Sequence, residues 1–170
     1  MLMLLFRRAD SAMSALNRFI IVLGAISLLA AALILSWSVL ARALFHIPTE
    51  WQDEASLFCL VGTTFICAAY VQEKRGHIGI SALEGLMPHA VNRVRVIVID
   101  VVAFLFFAFF AKKTWDLFSE AWVGQEVSDS TWGPPLWIPY GLMATGITLL
   151  AIQIFLQIVV RKPIATHGSH

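Results

Sequence analysis

Four stretches of the chain are apolar and nearly free of charge, and the segments between them hold almost every charged residue. Residues 19–41 give 23 positions without a charge, 55–72 give 18 and 136–160 give 25. Residues 96–111 give 16 positions interrupted only by Asp100, and this stretch is expected to extend to 94–113. A helix crosses a hydrocarbon core of about 30 Å with about 20 mostly apolar residues. The pattern therefore predicts an all-α integral membrane protein with four transmembrane helices in a single membrane domain, residues 1–163. The first stretch is too long and too uniformly apolar for a signal-peptide core, and no small-residue cleavage site follows it. It is read as a retained helix.

The charges between the spans predict the orientation. Arg7, Arg8, Arg18, Lys74, Arg75, Arg93, Arg95, Arg161 and Lys162 fall on one side of such a topology, and Arg42, Lys112 and Lys113 on the other. Short cytoplasmic loops carry the excess of Lys and Arg. Nine against three predicts that the N-terminus, the middle loop and the C-terminus are cytoplasmic. The six tryptophans, Trp37, Trp51, Trp115, Trp122, Trp132 and Trp137, all fall at outer span ends or in outer loops. Tryptophan favours the membrane–water interface, so the outer side is expected to carry an interfacial belt.

Two connections carry helix signals. Thr49 and Gln52 have capping-box spacing, which predicts a helix start running into the second span. Ser81 and Glu84 repeat that spacing in the cytoplasmic loop, and Ile80, Leu83, Met87 and Val91 form an apolar stripe. Residues 81–87 are accordingly read as a short amphipathic helix on the inner membrane surface. Pro88 suits the first turn of the helix that follows. Residues 167–170 look like the remnant of an expression tag and are left out of the functional reading.

Composition changes little in this picture but removes alternatives. Hydrophobic residues make up 59% of the 170 and charged residues 14%, against about 25% charged in soluble domains. The formal net charge is +1 with no basic stripe, so nucleic acid is not an expected partner; membrane lipids are. Cys59 and Cys67 stand eight positions apart, roughly 12 Å along one helix. A disulfide needs Cα atoms within about 7 Å, so the two are expected to remain unpaired.

Candidate chemistry is sparse. His46, His77 and His89 lie in loops or at helix ends, so none is expected at the depth a haem or metal site would need. No nucleophile–base arrangement, phosphate-binding glycine loop or cysteine–histidine cluster is visible. Neither catalysis nor a bound cofactor is expected. Asp100 is the one acidic residue within a span, in the cytoplasmic half of the third. Intramembrane acids are functional or paired, and a lone one makes a poor relay, so Asp100 is read as a structural tie to a neighbouring helix. Gln153 and Gln157, four apart on one face of the fourth span, are read as interhelical hydrogen-bonding residues. Pro134, Pro135 and Pro139 fall in or before the first turn of that span, where proline is tolerated. No broken helix at mid-depth marks a substrate site.

In order, Trp51-x-x-Glu54, a span ending Ala68-Ala69-Tyr70, then Gly76-His77-Ile78, Leu86-Met87-Pro88 and Pro135-x-Trp137-x-x-Tyr140 resemble the small, four-helix Q (DctQ-type) subunit of tripartite ATP-independent periplasmic (TRAP) transporters. The resemblance covers about residues 51–160. It implies a non-catalytic subunit of the bacterial inner membrane that braces a large elevator-type transport subunit. A periplasmic binding protein would deliver an organic acid, and sodium ions would bind the large subunit rather than this chain. Trp51, Glu54, His77, Trp137 and Tyr140 then become candidates for structural or subunit contacts, beside Asp100, Gln153 and Gln157. Two other readings compete. A self-sufficient four-helix transporter or channel would need a polar pathway, and a haem- or quinone-binding anchor would need histidine at membrane depth.

Overall fold

The apolar stretches form four α-helices in the computed structural model, which describes residues 2–46, 48–74 and 89–160, with side chains in 11–46, 48–74 and 94–159. They are α1 (Leu2–Phe45), α2 (Glu50–Glu73), α3 (His89–Gly124) and α4 (Trp137–Val160). All four are long and apolar enough to cross a membrane. At about 1.5 Å per residue, the 24 residues of α2 or α4 reach about 36 Å. That slightly exceeds a hydrocarbon core of about 30 Å. With 44 and 36 residues, α1 and α3 overrun it.

The helices run beyond the apolar stretches that marked them. The third helix continues well past residue 113 to Gly124, taking Lys112, Lys113 and Asp116 onto its exposed surface. It stops in a Schellman arrangement: Gln125 takes φ 49° and Glu126 N donates to Ala121 O at 3.1 Å. The second helix starts at Glu50 with Thr49 at its N-cap, but the capping-box bonds are not made. Thr49 is buried, and its hydroxyl lies 2.8 Å from Ser38 Oγ of α1. A tertiary contact has taken the side chain that the local motif would have used. Residues 81–87, His77 and the 167–170 tail lie outside the described residues.

The helices pack as an open layer in the order α1, α2, α4, α3. α1 lies chiefly on α2, α4 lies between α2 and α3, and α1 meets α4 over a smaller area. Only α4 has two extensive neighbours beside a third, lesser one, and it is the most buried helix. Small residues permit the close crossings, as membrane helix interfaces require. A Cβ on Gly146 of α4 would overlap the backbone of Phe65 in α2, and one on Gly24 of α1 would overlap Cys67 Sγ. Cys59 and Cys67 are both free. Exposed large side chains, such as Leu29 and Leu33 on α1 and Leu105 and Phe109 on α3, cover the outer helices.

Candidate functional site

Polar contacts between helices gather at the two ends of the layer. At one end, Glu54 sits in the first turns of α2 and reaches the segment joining α3 to α4. Ser128 Oγ donates to Glu54 Oε1, and Ser130 Oγ donates to Glu54 Oε2 at 2.7 Å. The segment also holds itself: Ser128 N donates to Pro134 O, and Leu136 N to Glu126 O, both at 2.9 Å. Gly133 takes φ 57°, a left-handed conformation that glycine adopts freely. Trp51, one turn before Glu54, meets Trp132 edge-on with ring centroids 6.4 Å apart. One helix turn thus grips this connection through a carboxylate and an indole together.

Trp115, Trp122 and Trp137 link α3 to α4. Trp137 packs edge-on to Trp122 at 4.9 Å, and Trp122 continues through Phe118 to Trp115. Trp115 Nε1 donates to Thr148 Oγ1 at 3.0 Å, tying α3 to α4. Tyr140 is half-buried one turn beyond Trp137. Between α1 and α2, Ser38 Oγ lies 3.1 Å from Asp53 Oδ1, and Arg42 Nη2 forms an exposed 3.5 Å ion pair with the same oxygen. Such an exposed pair contributes little to stability, about 0–1 kcal/mol.

The opposite end holds a buried polar junction of α1, α2 and α4. The Glu73 side chain is only 7% exposed. It accepts from Ser14 Oγ at 2.7 Å and from Asn17 Nδ2 at 2.8 Å. Asn17 Nδ2 also donates to Gln153 Oε1 at 3.1 Å. One turn further along α4, Gln157 and Gln72 pair reciprocally. Gln72 Nε2 donates to Gln157 Oε1 at 2.9 Å, and Gln157 Nε2 donates to the Gln72 carbonyl at 2.9 Å. Lys74 lies 3.8 Å from Glu73 and is itself exposed. Asp100 is buried on α3 at 6% exposure and is not without a partner.

Of the candidates read from the sequence, Trp51 with Glu54 and Gln153 with Gln157 are brought into two separate clusters. Trp137 and Tyr140 lie on one turn near the first cluster, and Asp100 stands on another helix. His77 lies outside the described residues. Ser14, Asn17, Gln72, Glu73, Ser128 and Ser130 complete the clusters and were not singled out beforehand. Asn17 and Glu73 fall just outside the predicted spans 19–41 and 55–72, so they read as loop residues. Serine in a loop carries no signal of its own. Among the described residues, no group of three or more His, Cys, Asp or Glu is placed to hold a metal ion.

The clusters pin helices and a connection to one another, and the layer they stabilise has large apolar outer surfaces. The comparison with known families agrees with such a component. The family described as "Tripartite ATP-independent periplasmic transporters, DctQ component" matches residues 31–162. The match takes in the last third of α1 together with α2, α3 and α4, and so extends the likeness seen from residue 51 onward. No curated protein and no solved structure matches. With 132 of its 170 residues (31 to 162) inside the match, the chain belongs to the DctQ family, the small component of TRAP transporters.

Proposed function

We propose that this chain is the non-catalytic small membrane subunit of a sodium-driven TRAP importer of organic acids, and that it braces a large elevator-type transport subunit. Its partners are that large subunit, a periplasmic substrate-binding protein and the surrounding lipid. Sodium binds the large subunit. The chain sits in the bacterial inner membrane with both termini and the middle loop, around Arg75–Arg95, in the cytoplasm, on the nine-to-three distribution of Lys and Arg.

The observation that carries this reading is the open layer. Its helices are fixed to one another by close glycine crossings and by polar clusters at both ends. A moving subunit works against a fixed one, so a brace needs internal rigidity and broad apolar faces. Between the clusters, the hydroxyls of Ser27, Thr63, Thr64 and Thr145 bond to backbone carbonyls. They are committed to helix carbonyls instead of forming a polar lining for an anion. Taking an unpaired carboxylate into hydrocarbon costs several kcal/mol or more, which argues against passage through this chain itself. The test is uptake of candidate acids into liposomes under a sodium gradient. Transport is expected only when this chain, the large subunit and the binding protein are present together.

A further inference from the structure

Between the two polar clusters, α1 and α2 leave an apolar crevice of about 270 Å³ that is partly open to its surroundings. Residues of α1 from Ile20 to Ser27 form one wall, residues of α2 from Phe58 to Cys67 the other, and Leu142 of α4 adds a third side. Gly24 and Gly62 both line it, and a Cβ on Gly62 would come within 3.0 Å of Leu142 Cδ1. Asn17 and Ser38, in the polar contacts at either end of α1, stand roughly 32 Å apart at about 1.5 Å per residue. That matches a hydrocarbon core of about 30 Å. The crevice begins one turn from Asn17 and therefore lies at membrane depth.

The lining is apolar because its polar side chains are turned to backbone. Ser27 Oγ donates to Cys59 O at 3.2 Å, Thr63 Oγ1 to Gly24 O at 3.4 Å and Cys67 Sγ to Ile20 O at 3.9 Å. Each bond crosses between α1 and α2 and leaves little polar surface for water or an ion. Apolar cavities of this kind stay dry and take up apolar ligands. An empty one would deprive its walls of the dispersion contacts that packed interiors have. Size then decides between hydrocarbon and a protein helix. A helix is about 10–12 Å across, so over the roughly 10 Å from Ile20 to Ser27 it would need on the order of 800 Å³ or more. The crevice offers about 270 Å³. A helix can lie over it but not in it.

We propose that the acyl chain of a membrane lipid is bound in this crevice, held by Leu23, Phe58, Ile66 and Leu142 and admitted by the two glycines. An acyl chain is narrow, flexible and wholly apolar, and in a bilayer it is the solvent. The bound chain fills the seam between α1 and α2 just beyond the junction where α1 meets α4 through Asn17 and Gln153, Met13 and Leu156. Its binding requires only that the helices cross a membrane, whatever the transporter carries.

The test is photolabelling of the full chain in nanodiscs, alone and in the assembled transporter. The probe is a phosphatidylethanolamine with a diazirine on its acyl chain, and mass spectrometry locates the adducts. Adducts on residues 20–27 and 58–67 are expected in both preparations. They should be lost in Cys59→Phe, which places a ring in the crevice, while labelling elsewhere on the chain persists. Crevice adducts on the chain alone but not in the assembled transporter would overturn the proposal in favour of a side chain from the large subunit. Crevice adducts that persist undiminished in Cys59→Phe would reduce it to general lipid contact. Should Cys59→Phe fail to assemble, Leu23→Trp carries the same test, because Leu23 is an exposed residue of the lining whose side chain can enlarge without entering a packed core.

Discussion

Glu54 shows how much one side chain can organise at a membrane surface. Its two oxygens accept from Ser128 and Ser130, while Trp51 on the preceding turn meets Trp132. Removing the carboxylate strands two hydroxyls that can turn partly to water. The loss is therefore placed at the lower part of the roughly 1–3 kcal/mol range for an abandoned buried partner. Glu54→Ala should lower the melting temperature or the yield of the assembled complex. If it instead abolished transport by an intact complex, Glu54 would belong to the transport chemistry. Asp100 is tested by a pair of substitutions. Asp100→Asn keeps shape and most hydrogen-bonding capacity, and should keep most transport. Asp100→Leu places an apolar group at a buried, partnered position and should reduce assembly. An assembled Asp100→Asn complex without uptake would point to a relay. Glu54 could be singled out through the resemblance of Trp51-x-x-Glu54 to the family motif, and Gln153 because an amide stands out inside an apolar run. Asn17 and Glu73 could not, because a charge-free window ends where a charge appears. The helix continues past that point and carries the charge into a buried contact.

At the scale of the element, hydropathy located all four helices but not their ends or neighbours. A window of apolar residues measures what the bilayer surrounds. Helix ends are set by backbone bonding, such as the Schellman turn at Gln125. Thr49 shows a local motif losing to tertiary contact, since its hydroxyl meets Ser38 instead of capping α2. The order α1, α2, α4, α3 was equally illegible, because it depends on where small residues let two backbones approach. That dependence is testable at two glycines. Gly146→Leu would drive a side chain into the backbone of Phe65, which cannot step aside. Overpacking of this kind costs about 1–3 kcal/mol or more. Gly62→Ala would bring a Cβ to 3.0 Å from Leu142 Cδ1, the far end of a flexible side chain. Thermal melts of the purified protein should show a clear fall for Gly146→Leu and a small change for Gly62→Ala. Equal melting of the two variants would contradict the α2–α4 crossing.

For the whole molecule, the open layer leaves broad apolar faces on its outer helices. Among the described helices α4 is the most buried, and α1 and α3 expose most of their large side chains. Lipid can cover such faces, and so can the helices of a larger subunit. The orientation has its own test. Val123, 82% exposed near the end of α3, lies on the side assigned to the periplasm. A cysteine placed there should react with an impermeant thiol reagent in intact cells, and reaction only after membrane disruption would reverse the topology. Liposomes under an inward sodium gradient separate a chain that supports transport from one that performs it. The chain alone should give no uptake of any candidate organic acid, and uptake should appear when the large subunit and the binding protein are added. Sodium-dependent uptake by the chain alone, or full uptake by the other two components without it, would contradict the account.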